Sequence, residues 1–180
     1  MTVALSPTPI LETERLVLRA PQARDWEAWR DFFLTDRGQW IRSMSNPTPK
    51  DAWRTFAAVT GHWVLHGCGM FVMTERGSDQ GFGMIGPWMP VNWPEAEISW
   101  SVWAPQAEGK GYMAEAARAV IAHAFHDLGW TTAVSYIDPN NIRSTALAQR
   151  LGATPDPSAA FPGEPPIVVW RHPVPQEATA

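Results

Sequence analysis

Apolar positions recur along this chain at two spacings, every second residue and every third to fourth. The switches between them mark out the elements. Thr13-Glu-Arg-Leu-Val-Leu-Arg19 alternates, with Leu16 and Leu18 on one face, and predicts a first strand. Asp25 suits an N-cap for Trp26–Leu34, where Trp29, Phe32 and Phe33 form an apolar stripe and Gly38 ends the segment. The turn Asn46-Pro-Thr-Pro leads through Thr48 or Pro49 into a second helix over about residues 50–65. Its stripe is Trp53, Phe56, Ala57, Thr60 and Trp63 or Val64, and Gly67-Cys-Gly closes it. Residues 70–74 and 82–88 read as a hairpin joined by Glu75-Arg-Gly-Ser-Asp-Gln. Alternation returns at Glu95–Trp103. It puts Ile98, Trp100 and Val102 on one face and Glu97, Ser99 and Ser101 on the other, until Pro105, which has no N–H to give a ladder. Met113, Ala117, Val120, Ile121, Ala124 and Leu128 make a long helical stripe closed by Gly129. Thr131–Ile137 is a β-branched strand, and Asn141 is placed to cap a helix that carries Ala146, Leu147 and Leu151 and stops at Gly152. A proline-rich loop over 153–166 precedes a last strand at Ile167–Trp170. The order β–α–α–β–β–β–α–β–α–β, with no repeat and no dividing linker, predicts one α/β (α+β) domain over residues 10–172. Residues 1–9 and 173–180 are expected to be flexible tails.

Composition narrows the class. The chain has 180 residues, 45% hydrophobic and 18% charged, enough for one sizeable core. It has no apolar run of membrane-spanning length, and residues 1–13 lack the pattern of a secretory signal, so the cytoplasm is expected. The single cysteine, Cys68, excludes an internal disulfide framework and cysteine-cluster metal sites. A net charge of -4 and no basic stripe argue against nucleic acid as a partner. His62, His66, His123 and His126 fall on or at the ends of helices without a third ligand at metal spacing, so no metal is expected. Eleven tryptophans are the outlier. Most must be core, but several should wall a pocket, because an indole offers an apolar face with one polar handle.

The stretch Glu95–Ala116 carries the chemistry. It runs from strand through a glycine-bearing loop into a helix N-terminus, where unpaired N–H groups and the macrodipole favour an anion. It reads either as a pyrophosphate cradle or as a plain connection with glycines for turning. Gly109-Lys-Gly-Tyr-Met-Ala114 formally fits the dinucleotide fingerprint, but five residues separate it from the strand and the flanking βαβ units are missing. A P-loop is excluded because no Gly-Lys-Ser/Thr occurs.

Gln106-Ala-Glu-Gly-Lys-Gly111 resembles the acyl-CoA pyrophosphate loop of the GNAT N-acetyltransferases. Three further stretches match in register. Thr13–Arg19 resembles the opening strand of the subgroup that includes ribosomal-protein N-terminal-alanine acetyltransferases. Gly109–Ala116 resembles that subgroup's Gly-x-Gly-Tyr-Ala-Thr-Glu-Ala. Asp138-Pro-Asn-Asn-Ile-Arg-Ser…Leu-Gly152 resembles its Asn-x-x-Ser helix. The resemblance implies a mixed, mostly antiparallel central sheet, helices on both faces, and a splay between the strands at 97–103 and 131–137. Acetyl-CoA would enter there as co-substrate. Its pantetheine would pair with the backbone of Ser101, Val102 and Trp103, and its pyrophosphate would take N–H groups from Glu108 through Gly109, Lys110, Gly111, Tyr112 and Met113 to Ala114. Lys110 would add charge or stay solvated, and Asn141 and Ser144 would face the pantetheine from the other side.

The chain departs from the family pattern at Ala148, where many members carry the tyrosine that protonates the leaving thiolate, and at Ala153, where phenylalanine is usual. The proton then falls to water, to Ser144 or to no specific group. The resemblance implies direct attack of a primary amine on the thioester in a ternary complex, with an oxyanion-stabilising N–H near Val102. Glu97 is the candidate base, or else a solvated carboxylate or an arginine partner. Two other classes stand beside this one: a non-catalytic acyl-CoA-binding or sensing module, and an interaction protein that assembles through its tryptophans. The acceptor, a protein N-terminal α-amine or a small molecule, is left open. A homodimer is expected only by analogy.

Overall fold

The computed structural model describes residues 5–42, 44–164 and 166–175. Eight strands form one sheet: β1 (Leu11–Glu12), β2 (Leu16–Arg19), β3 (Phe71–Glu75), β4 (Gly83–Trp88), β5 (Glu97–Val102), β6 (Val134–Ile137), β7 (Thr154–Pro155) and β8 (Val168–Arg171). Their spatial order is β1-β2-β3-β4-β5-β6-β8-β7. Every neighbouring pair is antiparallel except β5 and β6, which run parallel and share a single register pair, Glu97 with Val134. β1 and β7 are short pieces, β1 ahead of the first predicted strand and β7 in the stretch read as a proline-rich loop. Two residues carry no periodicity, and neighbours distant in sequence supply their pairing. Of the expected tails, residues 1–4 and 176–180 lie outside the described residues. Leu5, within the stretch expected to be a tail, and Leu11 are partly buried against the main core.

Four helices cover the sheet: α1 (Trp26–Phe33), α2 (Pro49–His66), α3 (Tyr112–His126) and α4 (Ile142–Arg150). Strand alternation divides the core between the two faces. Phe71, Met73 and Ile85 join Ala117, Val120 and Ile121 of α3, whereas Val72 and Met84 join Trp29, Phe33, Phe56 and Val59 of α1 and α2. α2 starts as its sequence implies, with the Thr48 hydroxyl accepting from Asp51 N–H and Pro49 in the first turn. Its buried face is Ala52, Phe56, Val59, His62 and Trp63. Ala57, Trp53 and Val64 are exposed, so the expected stripe is off by about one residue. Apolar residues run almost round this helix, and only the position of α1 and β3 decides which side is covered.

Asp25 stands at the N-cap position of α1, but its side chain makes no capping hydrogen bond to that helix. It ends a 3-10 turn (Ala23–Asp25), 2% exposed, with its carboxylate forked onto Arg19 at 2.8 Å on both arms and accepting from Gln22 N–H. Gly38 likewise does not end α1. It sits inside a second 3-10 turn, Asp36–Ile41, that follows the helix. No helix among the described residues is long and apolar enough to cross a membrane.

Candidate active site

β5 and β6 start together and then part. Val134 N–H reaches Ala96 C=O at 3.0 Å, and one residue on the contact is no longer backbone to backbone. There the Ser135 hydroxyl donates to Ile98 C=O at 2.6 Å, and Ser135 Oγ also lies 2.9 Å from His172 Nε2. The hydroxyl has one proton, so the ring must donate through Nε2, leaving Nδ1 buried and without a partner. Burial pushes the His172 pKa down to about 4. Sequence reasoning missed both residues. Ser135 was one small residue in a strand, and His172 followed the last one.

Two cavities open on the splay, of about 730 and 440 Å³. Both are bounded by Trp40, Ile41, Trp100, Ser101, Asn141 and Ser144, so they meet at the parting of the strands.

The larger cavity is floored by the glycine loop and the start of α3. Gly109 and Gly111 have φ of 74° and 78°, and a Cβ at Gly109 would meet nothing. Backbone handedness, rather than crowding by the protein, is what requires glycine there. The N–H groups of Gly109 through Ala114 have no acceptor among the described residues, and the first bond of the helix is Glu115 N–H to Gly111 C=O. Six consecutive free donors at the end of a 15-residue helix form an anion cradle. Glu115 anchors it from behind, taking hydrogen bonds from Thr13, from Arg15 N–H and from the Arg15 side chain. Arg15 in turn holds Lys110 C=O at 3.0 Å.

Not every residue of the expected contact set borders the cavities. Glu108 N–H is spent on Pro105 C=O, so the free donors start one residue later. Gln106, Trp103 and Lys110 line neither cavity. Gln106 is exposed in the 3-10 turn Pro105–Ala107, Lys110 Nζ lies 5.7 Å over the Tyr112 ring, and Trp103 is buried against Trp29 with its indole donating to Ser101 Oγ at 3.1 Å. Ser101, Val102, Gly109, Gly111, Tyr112, Met113, Ala114, Asn141 and Ser144 do come together around the larger cavity.

Arg37 was not foreseen. From the Asp36–Ile41 turn it donates to Val102 C=O (2.8 Å) and Trp103 C=O (2.7 Å), and pairs with Glu108, which also binds Arg143 at 2.6 Å. The Val102 carbonyl, an expected partner for an incoming strand-like ligand, is therefore already engaged. Trp103 N–H goes to Phe82 C=O on the β4 side, so alternation turns Val102 N–H toward the splay.

The smaller cavity is walled by Trp29, Trp40, Trp88, Trp93 and Trp100, with Glu97, Ser99 and Ser135 among them. This is where the tryptophan excess is spent. Glu97 is 6% exposed, and its carboxylate accepts from Trp93 Nε1 at 2.6 Å. Burial pushes its pKa up to about 7, against the Trp93 hydrogen bond, which pulls it down. The arginine partner considered for Glu97 goes instead to Glu95, which grips Arg171 at 2.8 and 2.9 Å.

Asn141 caps α4 as its position implies, with Oδ1 accepting from Ser144 N–H at 3.2 Å. Ser144 Oγ accepts from Trp100 Nε1 at 3.1 Å, which leaves its own proton free to donate. Ala148 is fully buried beside Ile137, Ala153 and Trp170 and lines neither cavity. Of the four helical histidines, His62 is a satisfied core residue, bonded to Cys68 C=O and Met89 N–H, whereas His123 binds Asp127 through Nδ1 and keeps a buried Nε2 with no partner among the described residues. Among the described residues no three His, Cys, Asp or Glu side chains cluster as a metal site requires.

A family model described as an acetyltransferase (GNAT) domain matches residues 15–154, from the start of β2 through α4. The crystal structure of an acetyltransferase from Agrobacterium tumefaciens str. C58 is similar, with 34% identity and a TM-score of 0.85 over 96% of this chain and 98% of that one. A protein from Bordetella pertussis described as a GNAT-family acetyltransferase is 26% identical, with a TM-score of 0.74 over 92% and 100%. A ribosomal-protein-S5-alanine acetyltransferase from Vibrio fischeri shares the fold at 16% identity, with a TM-score of 0.67 over 94% and 98%. No curated protein sequence matches the chain. With its splayed sheet, its glycine-loop cradle and a family match over most of its length, the chain belongs to the GNAT acetyltransferase family.

Proposed function

We propose that this protein moves an acetyl group from acetyl-CoA to a primary amine by direct attack in a ternary complex. The observation that carries the reading is the meeting of two unlike cavities at one strand splay. One is lined by Gly109 and by Gly111 through Ala114, whose backbone N–H groups are free among the described residues, and the other holds a buried carboxylate whose pKa stands at about 7.

The free N–H groups from Gly109 to Ala114 suit a pyrophosphate, and Asn141, Ser101 and Ser144 border the path from there to the splay. Acetyl-CoA supplies the activated acyl group. Glu97 accepts a proton from the incoming ammonium, and a carboxylate with a pKa near the working pH is well matched to that task. The amine nitrogen adds to the acyl carbon to give a tetrahedral oxyanion, and as this collapses the C–S bond breaks and the nitrogen's second proton passes to the departing thiolate, so that coenzyme A leaves as the thiol. Val102 N–H, turned toward the splay, stabilises the oxyanion. Ser144, held by the Trp100 indole, donates a hydrogen bond to the departing sulfur, which Ala148 cannot reach. An α-amine at pKa 7.7–8.0 needs about 1 kcal/mol to be neutral at pH 7, and a lysine at about 10.4 needs about 5, so a base matters more for the second. The acceptor is a protein N-terminal α-amine or a small-molecule amine.

The second reading, a sensing module without turnover, is favoured only by Ala148. Two measurements decide. Calorimetry with coenzyme A should show binding that is weakened by Gly111→Val, and thiol release from acetyl-CoA should require an amine. Absence of coenzyme A binding overturns both readings. Binding without amine-dependent thiol release leaves the sensing module.

A further inference from the structure

We infer that the acceptor is a small primary amine carried on an aromatic or bulky apolar group, seated in the tryptophan-walled cavity; this rests on the acetyl-transfer reading above. The walls decide it. Three of the five indoles there have already spent their donors: Trp29 on Ala52 C=O (3.1 Å), Trp93 on Glu97 (2.6 Å) and Trp100 on Ser144 (3.1 Å). What they turn to the cavity is ring surface. Val59, Met70 and Ile41 fill the spaces between. The cavity's hydroxyls come from β5, β6, α2 and α4, and those of Ser101, Ser135, Tyr136 and Ser144 are already bonded within the protein, which leaves the indole wall as its main free surface. It is suited to flat or branched apolar groups and to the positive end of an ammonium.

The charges agree. Among the described residues two carboxylates border the cavity: Glu97, which is buried, and Asp138, which is half-buried and whose Oδ1 accepts from the backbone N–H and the side-chain amide of Asn140. A polyamine or an aminoglycoside brings several cations and would meet one buried carboxylate, one half-buried carboxylate and the guanidinium of Arg42, which is fastened to the carbonyls of Phe33 and Thr35. A single ammonium on an apolar body matches a single buried carboxylate among indoles. At about 440 Å³ the cavity has the size of pockets that enclose ligands of this kind. The wall is also stiff. Trp88 stacks on His62 at 5.2 Å, and His62 is pinned at both ring nitrogens, donating from Nδ1 to Cys68 C=O and accepting at Nε2 from Met89 N–H.

The test is a panel of acceptors assayed by thiol release: 2-phenylethylamine and phenylalaninamide against spermidine, kanamycin and an alanine-initiated peptide. Binding of the same amines is followed in parallel by quenching of tryptophan fluorescence. The aromatic amines should show the highest kcat/KM and should quench. Trp88→Leu should raise their KM by roughly tenfold, the worth of one aromatic contact, without moving the Kd for coenzyme A. Preference for spermidine, kanamycin or the peptide overturns this inference and leaves the acetyl-transfer reading standing. Coenzyme A binding with no thiol release from any amine removes the catalytic reading. Quenching then decides the cavity separately, and its absence overturns this inference as well.

Discussion

Glu97 shows how burial makes chemistry out of an ordinary side chain. Strand alternation assigned it to the polar face of β5. Its burial and its indole partner at Trp93 come from packing. With its pKa near 7 the carboxylate is protonated below that value and available as a base above it, so kcat should climb as pH rises through about 7. Glu97→Gln should lose roughly 10²–10⁴ in rate, with the loss shrinking at high pH, where the amine arrives neutral. If the pH profiles of the two proteins coincide, Glu97 has no part in the proton transfer. If instead KM alone rises, and equally at every pH, the charge positions the acceptor.

At the scale of elements, the turns around α1 depart furthest from their sequence reading. Asp25 stands where a cap belongs but serves as the buried counter-charge of Arg19. Loss of a cap costs about 1 kcal/mol, whereas stranding a buried arginine costs about 3–5. Urea unfolding of Asp25→Asn at neutral pH should show the larger figure. A loss near the smaller one would mean that Arg19 finds other partners, such as the Ala20 and Asp79 carbonyls it already touches. The next turn, Asp36–Ile41, delivers Arg37 to β5 and Trp40 and Ile41 to both cavities. None of this was visible in the sequence, because Arg37 and its partner Glu108 are 71 residues apart and lie on no shared periodicity.

Across the whole molecule, the splay is held at its narrow end by a chain of contacts from β8 through Ser135 to Ile98. His172 is neutral there, with a pKa near 4 against about 6.5 when unfolded. Between those values the unfolded chain binds more protons, so His172 makes stability fall as pH drops from about 6.5 to 4. Glu97 does the reverse. Its folded pKa lies above its unfolded one of 4.5, so its contribution to stability rises as pH drops from about 7 to 4.5. The two oppose each other over most of that window. Stability measured by urea from pH 7 to 4 should therefore fall more steeply with acid in Glu97→Gln than in the native protein, and less steeply in His172→Gln. Parallel curves for all three would show that neither group is coupled to folding.

The sequence by itself determined the order of the four helices and of every strand but the two-residue β1 and β7, the glycine loop, the Asn141 cap, the alternation that put Glu97 and Ser101 on one face, and the expectation that tryptophans would wall a pocket. These are local matters, set by periodicity, by positive φ at Gly109 and Gly111 and by hydrogen bonds spanning three residues. Tertiary structure decided which face of α2 is buried, that Asp25 pairs with Arg19, that Arg37 engages Val102, and that Ser135 and His172 tie the splay. It also decided which indole donors remain free and so what the acceptor cavity presents. Those outcomes depend on side chains brought together by the order β2-β3-β4-β5-β6-β8 and by the helices laid across it. The reason is physical: a period constrains a residue only against its own element, whereas burial, and the pKa that follows from it, is a property of everything that closes around the group.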